Sequence, residues 1–453
     1  MTPFRILIRI LLTAPLACLI LISSCATGPA VVVPSTALPG FPPARFAVFS
    51  DPHLHTAALG MTGKEFWDNV NRGKKLLHLS EEILSTVVAS LASDPGIEFV
   101  VIPGDLTGDG ERENHVRMAF WLEKLEAAGK KVFVIPGNHD ILNPHARRYT
   151  DHGAEPVPSI SPAEFAGFYH AFGYDEAIAR DPDSLSYVAE PVPGLWLLAL
   201  DSCRYEENQA RRGPVTGGRL KEETLVWAEA MLARAREQGK AVIGAMHHGM
   251  LEHFSGQKKY FSAYVIDDYE RVSRRLASAG LRFVLTGHFH AQDVVMQRFP
   301  GDVFLTDIET SSLVTWPCAW RVLETTVENT LSIRSYPVTA LPSRPDFSDY
   351  ARTELTNGVD VYLKEYLDRY HFSDTDLRLL TPQLVRALLA HTAGDEQPPP
   401  VPIDPAGFSV GLRLFMLAAD DLVRGVWHDL PPADNNLAID CATGDWHDLP
   451  DTK

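Results

Sequence analysis

Nine polar side chains of metal-binding type each follow a short apolar run in this chain. Asp51 and His53 follow "FAVFS" (46–50), Asp105 follows "EFVVI" (98–102), and Asn138 and His139 follow "KVFVI" (131–135). His247 and His248 follow "AVIGAM" (241–246), and His288 and His290 follow "RFVLT" (282–286). Two of these junctions share Val-Ile-Pro-Gly, at 101–104 and 134–137, once ahead of Asp105 and once ahead of Asn138 and His139. Imidazole and carboxylate donors without thiolate suit Zn, Fe or Mn and disfavour a structural zinc knot or an iron–sulfur cluster. Even with two of the six histidines set aside, two aspartates, an asparagine and four histidines are too many for one tetrahedral ion and suit two ions that share a carboxylate. Asp105 is the natural bridge, because a carboxylate has two oxygens.

The elements that must position these groups are strands. The apolar runs are short and rich in Val, Ile and Phe, which predicts buried strands. "LWLLAL" (195–200) is another of the same kind. Helical spacing of apolar residues predicts helices over 111–128, closed by Gly129, and about 220–238, closed by Gly239. A third is predicted from Asp267, with Tyr269, Val272, Leu276 and Ala279 on one face before Gly280. Strands alternating with helices imply an α/β layered core, and in such sheets ligands gather at the C-terminal strand edge, where every candidate donor falls. "DVFLTDIE" and "WRVLETTVENTLSIRSYPV" have no helix between them, so the sheet should end in antiparallel strands. The excursion at 141–194, with a helical piece near "SPAEFAGFYHAFG", reads as a lid, a substrate wall or a surface decoration.

The first 25 residues carry Arg5 and Arg9 ahead of an apolar run from Ile10 to Ile22, with no acidic residue, and end in Ile-Ser-Ser-Cys. That is the pattern of a secretory signal. The ending resembles the lipobox of bacterial lipoproteins, which implies a lipidated Cys25 and an exported protein anchored in the bacterial cell envelope. The Pro-rich stretch 26–43 would be a tether. Loss of the two arginines takes the formal net charge from −17 to −19, a field that repels nucleic acid, so no nucleic-acid partner is expected. A phosphate-bearing substrate must be attracted locally. Cys203, Cys318 and Cys441 lack zinc-finger spacing; one disulfide is possible, and burial as small apolar residues serves equally well.

Asp51-Pro52-His53, Gly104-Asp105, Gly137-Asn138-His139-Asp140, His247-His248 and Gly287-His288-Phe289-His290 resemble, in order, the signature blocks of the calcineurin-like metallophosphoesterases. "GDLTGDGE" followed by His115 is most similar to the branch containing bacterial phosphodiesterases. The chain departs from many relatives in having Gly249 where they have proline after the histidine pair. The resemblance implies a layered α/β fold, a β-sandwich core flanked by helices. It also implies one metal held by Asp51, His53 and His290 and another by Asn138, His247 and His288, with Asp105 between them. His247 is preferred to His248 on the same ground. His139 would face the substrate phosphoryl oxygen or the leaving group rather than a metal. The cofactors implied are two divalent or trivalent transition-metal ions, Mn, Fe or Zn, and the partner a phosphate ester. The activity implied is hydrolysis by a two-metal-activated hydroxide on a phosphodiester, with a phosphomonoesterase, a nucleotidase or a silent lipid-anchored binding protein as alternatives.

The expected organisation is a signal peptide (1–25), the tether (26–43), the metallophosphoesterase domain (44–341) and a mostly helical C-terminal extension (342–453). Helical patterns there cover 358–372, 382–391 with Thr381 as cap, and 408–424. Trp-His-Asp-Leu-Pro occurs twice, at 427–431 and 446–450; a pair of docking turns is the plain reading, and His428 or His447 as ligand has no second donor beside it.

Overall fold

In the strand Leu195–Leu200, Leu195, Leu197 and Ala199 enter one buried cluster, while Trp196, Leu198 and Leu200 enter another. Period two is the strand repeat, so this strand is covered on both faces. The same division recurs at Phe283 and Leu285 against Val284. Full burial of each such side chain contributes roughly 1.5–3 kcal/mol.

The computed structural model describes residues 38–394 and 396–450. The expected signal segment, Cys25 and most of the tether lie outside the described residues. The order begins β1 (Ala44–Val48), α1 (Lys64–Gly73), α2 (Ser80–Ser93), β2 (Phe99–Ile102), α3 (Arg112–Ala127) and β3 (Lys131–Val134). The excursion contains the hairpin β4 (Arg147–Thr150) and β5 (Gly153–Pro156), then α4 (Pro162–Phe168), β6 (Ala179–Arg180) and β7 (Tyr187–Val192). Next come β8 (Leu195–Leu200), α5 (Glu222–Glu237), β9 (Ala241–Met246), α6 (Gln257–Tyr260), α7 (Tyr269–Ala279) and β10 (Phe283–Thr286). Then follow β11 (Asp293–Phe299), β12 (Val303–Glu309), β13 (Ala319–Thr325) and β14 (Thr330–Pro337). The C-terminal part holds α8 (Phe347–Asp368), α9 (Asp374–Ala393), α10 (Val410–Ala418), α11 (Asp420–Val426), β15 (Asn436–Asp440) and β16 (Trp446–Asp448).

Two seven-stranded sheets result, in the orders β16-β15-β14-β13-β1-β2-β3 and β11-β12-β10-β9-β8-β7-β6. β1, β2 and β3 run parallel, as do β8, β9 and β10. β13 and β14 pair antiparallel, as expected, but β12 lies in the other sheet, antiparallel to β11 and parallel to β10. One buried cluster takes Phe46, Val48 and Phe99 from the first sheet and Leu197, Ile243 and Leu285 from the second, which makes a sandwich. Ile83, Leu84, Met118 and Leu122 of α2 and α3 join that cluster, and Leu225, Leu232, Val272 and Leu276 of α5 and α7 cover the outer face of the second sheet. The fold is therefore layered α/β, with helices flanking a two-sheet core.

The C-terminal part differs from its helical expectation in two respects. Residues 436–440 return to the first sheet as β15, paired antiparallel with β14, because Leu437 and Ile439 alternate into the core. Pro382 lies inside α9 rather than in a first turn, and Thr381 is buried mid-helix. Ser373 caps this helix instead, its Oγ accepting from Asp376 N–H at 3.1 Å. Leu380 and Leu412 pack in the same apolar cluster, which helps hold the helix through its proline. The two Trp-His-Asp-Leu-Pro copies are not equivalent: Trp427 is buried at the end of α11, and Trp446 is 40% exposed on β16. Cys203, Cys318 and Cys441 are buried free thiols.

Candidate metal centre

β1, β2, β3, β9 and β10 each end in one or two of the candidate donors, and the sandwich brings these ends of both sheets together. The turns are forced into unusual backbone shapes. Asp51, His53, Asp105, His288 and His290 all have φ between 38° and 76°, in the left-handed region that non-glycine residues avoid. Such residues cost roughly 1–3 kcal/mol each and cluster where a site requires them. The two Val-Ile-Pro-Gly turns approach so closely that a Cβ on Gly137 would lie 2.1 Å from Asp105 N and Oδ1. Asp140 ties the turns together: its Oδ2 accepts from Leu106 N–H and Gly137 N–H, and its Oδ1 accepts from Thr107 N–H and Oγ1–H.

The donors converge in two groups sharing Asp105. In the first, His53 Nε2 and His290 Nε2 are 3.2 Å apart, and Asp51 Oδ1 stands 3.4 Å from His290 Nε2 and 3.8 Å from His53 Nε2. In the second, His247 Nε2 is 3.1 Å from Asn138 Oδ1 and 3.4 Å from Asp105 Oδ2, with His288 in the same group. Asp105 Oδ2 also stands 3.5 Å from His53 Nε2. Asp105 Oδ1 is taken by His139 N–H at 2.9 Å, so one oxygen of the carboxylate, not two, faces both groups.

These residues fit two metal ions. Bonds of about 2.1 Å put neighbouring ligand atoms about 3.0–3.4 Å apart in octahedral or tetrahedral geometry, and the Nε2 atoms stand 3.4–3.8 Å from their carboxylates, at or just above that range. Asp51 Oδ1 is buried with no hydrogen-bond partner among the described residues. The remaining ring nitrogens are fixed as metal-binding histidines require. His53 Nδ1 faces Thr107 O at 3.3 Å, His247 Nδ1 faces Pro103 O at 2.8 Å, His290 Nδ1 faces Thr315 Oγ1 at 3.1 Å and His288 Nε2 faces Ala263 O at 3.2 Å. By contrast, both ring nitrogens of His248 are engaged, with Ser202 Oγ at 2.8 Å and Thr216 O at 2.9 Å. Among the described residues, His428 and His447 join no convergent group of donors.

Electrostatics favour the ligand forms of most donors; His247 is the exception, where burial lowers the imidazole but the Asp105 carboxylate prevails and raises it to about 9. Burial holds His53, His288 and His290 below the usual imidazole range, which keeps them neutral. Burial opposes ionisation of Asp105, yet the imidazoles of His247, His139 and His53 outweigh it and hold the carboxyl well below its ordinary value.

His139 lies beside these groups with its side chain 24% exposed, and its Nε2 is 3.9 Å from Asp105 Oδ2. Its Nδ1 is held by Gly108 O at 2.8 Å and Asp109 Oδ1 at 2.9 Å. Burial and Lys75 lower its pKa, but Asp105 and Asp109 prevail and raise it above the imidazole norm. Lys75 Nζ lies 3.4 Å from both His139 Nε2 and His53 Nδ1. Neither Asp109 nor Lys75 is singled out by the sequence reading; a second Gly-Asp in "GDLTGDGE" is the trace of Asp109, and Lys75 leaves none. Gly249 N–H donates to Tyr264 O at 3.1 Å, a bond that proline in its place could not make.

The sequence matches the calcineurin-like phosphoesterase family over residues 44–292. The chain belongs to that family. It is a metal-dependent, binuclear phosphoester hydrolase, and its convergent Asp and His groups fit metal binding. No curated protein matches the sequence. Solved structures with a similar fold include a dimetal phosphatase from Danio rerio, with 14% identity over 66% of this chain and 97% of that chain and a TM-score of 0.46. A purple acid phosphatase from yellow lupin shares 13% identity over 66% of this chain and 52% of its own, with a TM-score of 0.39. A 5′-nucleotidase precursor from Thermus thermophilus shares 12% identity over 71% and 59%, with a TM-score of 0.34. The family assignment rests on the sequence match.

Proposed function

We propose that this phosphoesterase hydrolyses phosphodiesters and that His139 protonates the departing alkoxide. The observation that carries the reading is the convergence of Lys75 Nζ and His139 Nε2, 3.4 Å apart, at the edge of the metal-type donors. A phosphodiester carries one negative charge, and one ammonium beside an imidazolium supplies two donors for its non-bridging and leaving oxygens. Asp51, His53 and His290 would hold one ion and Asn138, His247 and His288 the other, with Asp105 between them; the donor types suit Mn, Fe or Zn. When bound, they lower the pKa of water and clamp the attacking and leaving oxygens of an in-line displacement. Asp109 keeps the proton of His139 on Nδ1 while Nε2–H is delivered to the leaving oxygen, a transfer worth about 100- to 10,000-fold in rate.

The test is hydrolysis of bis(p-nitrophenyl) phosphate and p-nitrophenyl phosphate by the full chain, metal-stripped and then resupplied with Mn, Zn or Fe. A higher kcat/KM for the diester supports the reading; a preference for the monoester overturns it in favour of a phosphomonoesterase.

The enzyme also reads as an exported protein of the bacterial cell envelope, held by lipid on Cys25. The support is Arg5, Arg9, the apolar run and the Ile-Ser-Ser-Cys ending. Cys25→Ser should move the chain from a detergent phase to the aqueous phase, and unchanged partition would sink this assignment.

A further inference from the structure

A second set of buried charges lies where the C-terminal part meets the second sheet. Asp293 opens β11, His391 is in the last turn of α9, Glu396 follows that helix, and Asp434 precedes β15. All four side chains belong to buried residues. Donor atoms of Asp293, His391 and Glu396 lie within 4.8 Å of one another, and so do those of Glu396, Asp429 and Asp434. His391 Nδ1 is 2.5 Å from Glu396 Oε1 and 3.5 Å from Asp293 Oδ2. The other oxygen of this carboxylate, Glu396 Oε2, is buried with no hydrogen-bond partner among the described residues, and the residue is only 5% exposed. A buried carboxylate oxygen without a donor costs several kcal/mol unless a cation meets it.

Further buried acidic and basic groups lie around this site. Asp293, Asp307, Glu396 and Asp434 surround this region, and burial, before the neighbouring aspartates, raises the Glu309 carboxyl so that it keeps its proton. His253 and Arg321 face them. His253 is held protonated by Asp293 and Asp307 against its burial, with Nδ1 2.7 Å from Asp293 Oδ1. Arg321 donates to Asp434 O and Glu309 O at 2.5 and 2.8 Å.

We propose that a divalent transition-metal ion binds Asp293, His391 and Glu396, with Asp434 and Asp429 adjacent, as a third metal site separate from the catalytic pair. One imidazole among carboxylates suits Mn²⁺ or Zn²⁺ better than Ca²⁺ or Mg²⁺, which favour oxygen alone. His391 would ligate through the lone pair of a ring nitrogen, as a neutral imidazole does. The ion staples the end of α9 and the 429–434 turn to the start of β11, just after the loop that carries His288 and His290. Gln292 N–H already donates to Thr392 O at 3.1 Å across this junction.

The test is a metal count on the full chain, stripped by chelator and dialysed against Mn²⁺ or Zn²⁺. A His53→Ala/His247→Ala variant, crippled at the catalytic pair, should keep one ion per chain and should melt at higher temperature with that ion than without it. Adding Glu396→Gln should remove both the ion and the thermal shift. No ion in the double variant, or an ion that persists after Glu396→Gln, overturns the proposal. Should Glu396→Gln not fold, zinc absorption spectroscopy of the double variant decides: one imidazole with oxygen donors is expected, and a shell with several imidazoles or sulfur overturns it. Because the catalytic donors are disabled in this variant, failure here is distinct from failure of the phosphodiesterase reading.

Discussion

Asp109 Oδ1 lies 2.9 Å from His139 Nδ1 and so decides which ring nitrogen faces the catalytic donors. Both Asp109 and Gly108 O accept at Nδ1, which requires the proton there and leaves Nε2 toward Lys75 and Asp105. The turn that carries the shared carboxylate thus also orients the proton donor. Asp109→Ala should leave metal content unchanged and lower kcat about 10- to 100-fold, the usual cost of losing an orienting partner. Steady-state kinetics alongside metal analysis checks it, and a wild-type kcat would remove Asp109 from the mechanism.

Gly137 sits where the two turns touch. A methyl group there would collide with Asp105 backbone and carboxylate at 2.1 Å, and backbone cannot step aside as a flexible side chain can. Gly137→Ala should therefore displace the shared carboxylate. The expected outcome is loss of at least one catalytic ion by elemental analysis and a lower Tm by calorimetry. A variant with wild-type metal content would show that Asp105 tolerates displacement.

Lys75 supplies positive charge to a chain whose formal net charge is −17. Its burial lowers its pKa, while Asp105 and Asp109 work to keep it charged. A hydrogen bond to a charged group contributes about 1.5–3 kcal/mol, so Lys75→Met should reduce kcat/KM for a diester by about one to two orders of magnitude. Metal content should not change, and Lys75→Arg should recover part of the loss. If Lys75→Met had wild-type kinetics, phosphate recognition would have to come from elsewhere.

What was legible in the sequence follows a physical line. The donors at 51, 53, 105, 138, 247, 288 and 290 could be read together because each follows a buried strand whose apolar run marks its end. Lys75 could not be read that way: it lies between α1 and α2 and is placed by a tertiary contact, Leu76 N–H donating to Val314 O at 2.8 Å. β15 was hidden for a related reason. "NLAID" is too short to outweigh the helical patterns before it, and only the edge of β14 shows what it pairs with. Asp293, the His391–Glu396 stretch and Asp434 come from three separate parts of the chain, so packing alone unites them.

Glu111 provides a pH test away from the metal donors. It is buried, and its Oε2 accepts from Asp109 N–H at 2.9 Å and Asn114 Nδ2–H at 2.7 Å. Burial, followed by the charge of Asp109, pushes its carboxyl from 4.5 to about 7. The folded protein therefore binds this proton more tightly than the unfolded chain does. Its stabilising contribution is full below about pH 4.5 and is lost as pH rises through about 7. Glu111→Gln keeps a neutral acceptor for the same donors at every pH. The variant's Tm minus the wild-type Tm should thus rise between pH 5 and 7 and level off above, as followed by thermal unfolding across a pH series. A difference that stays constant over that range would show that Glu111 titrates normally in the fold.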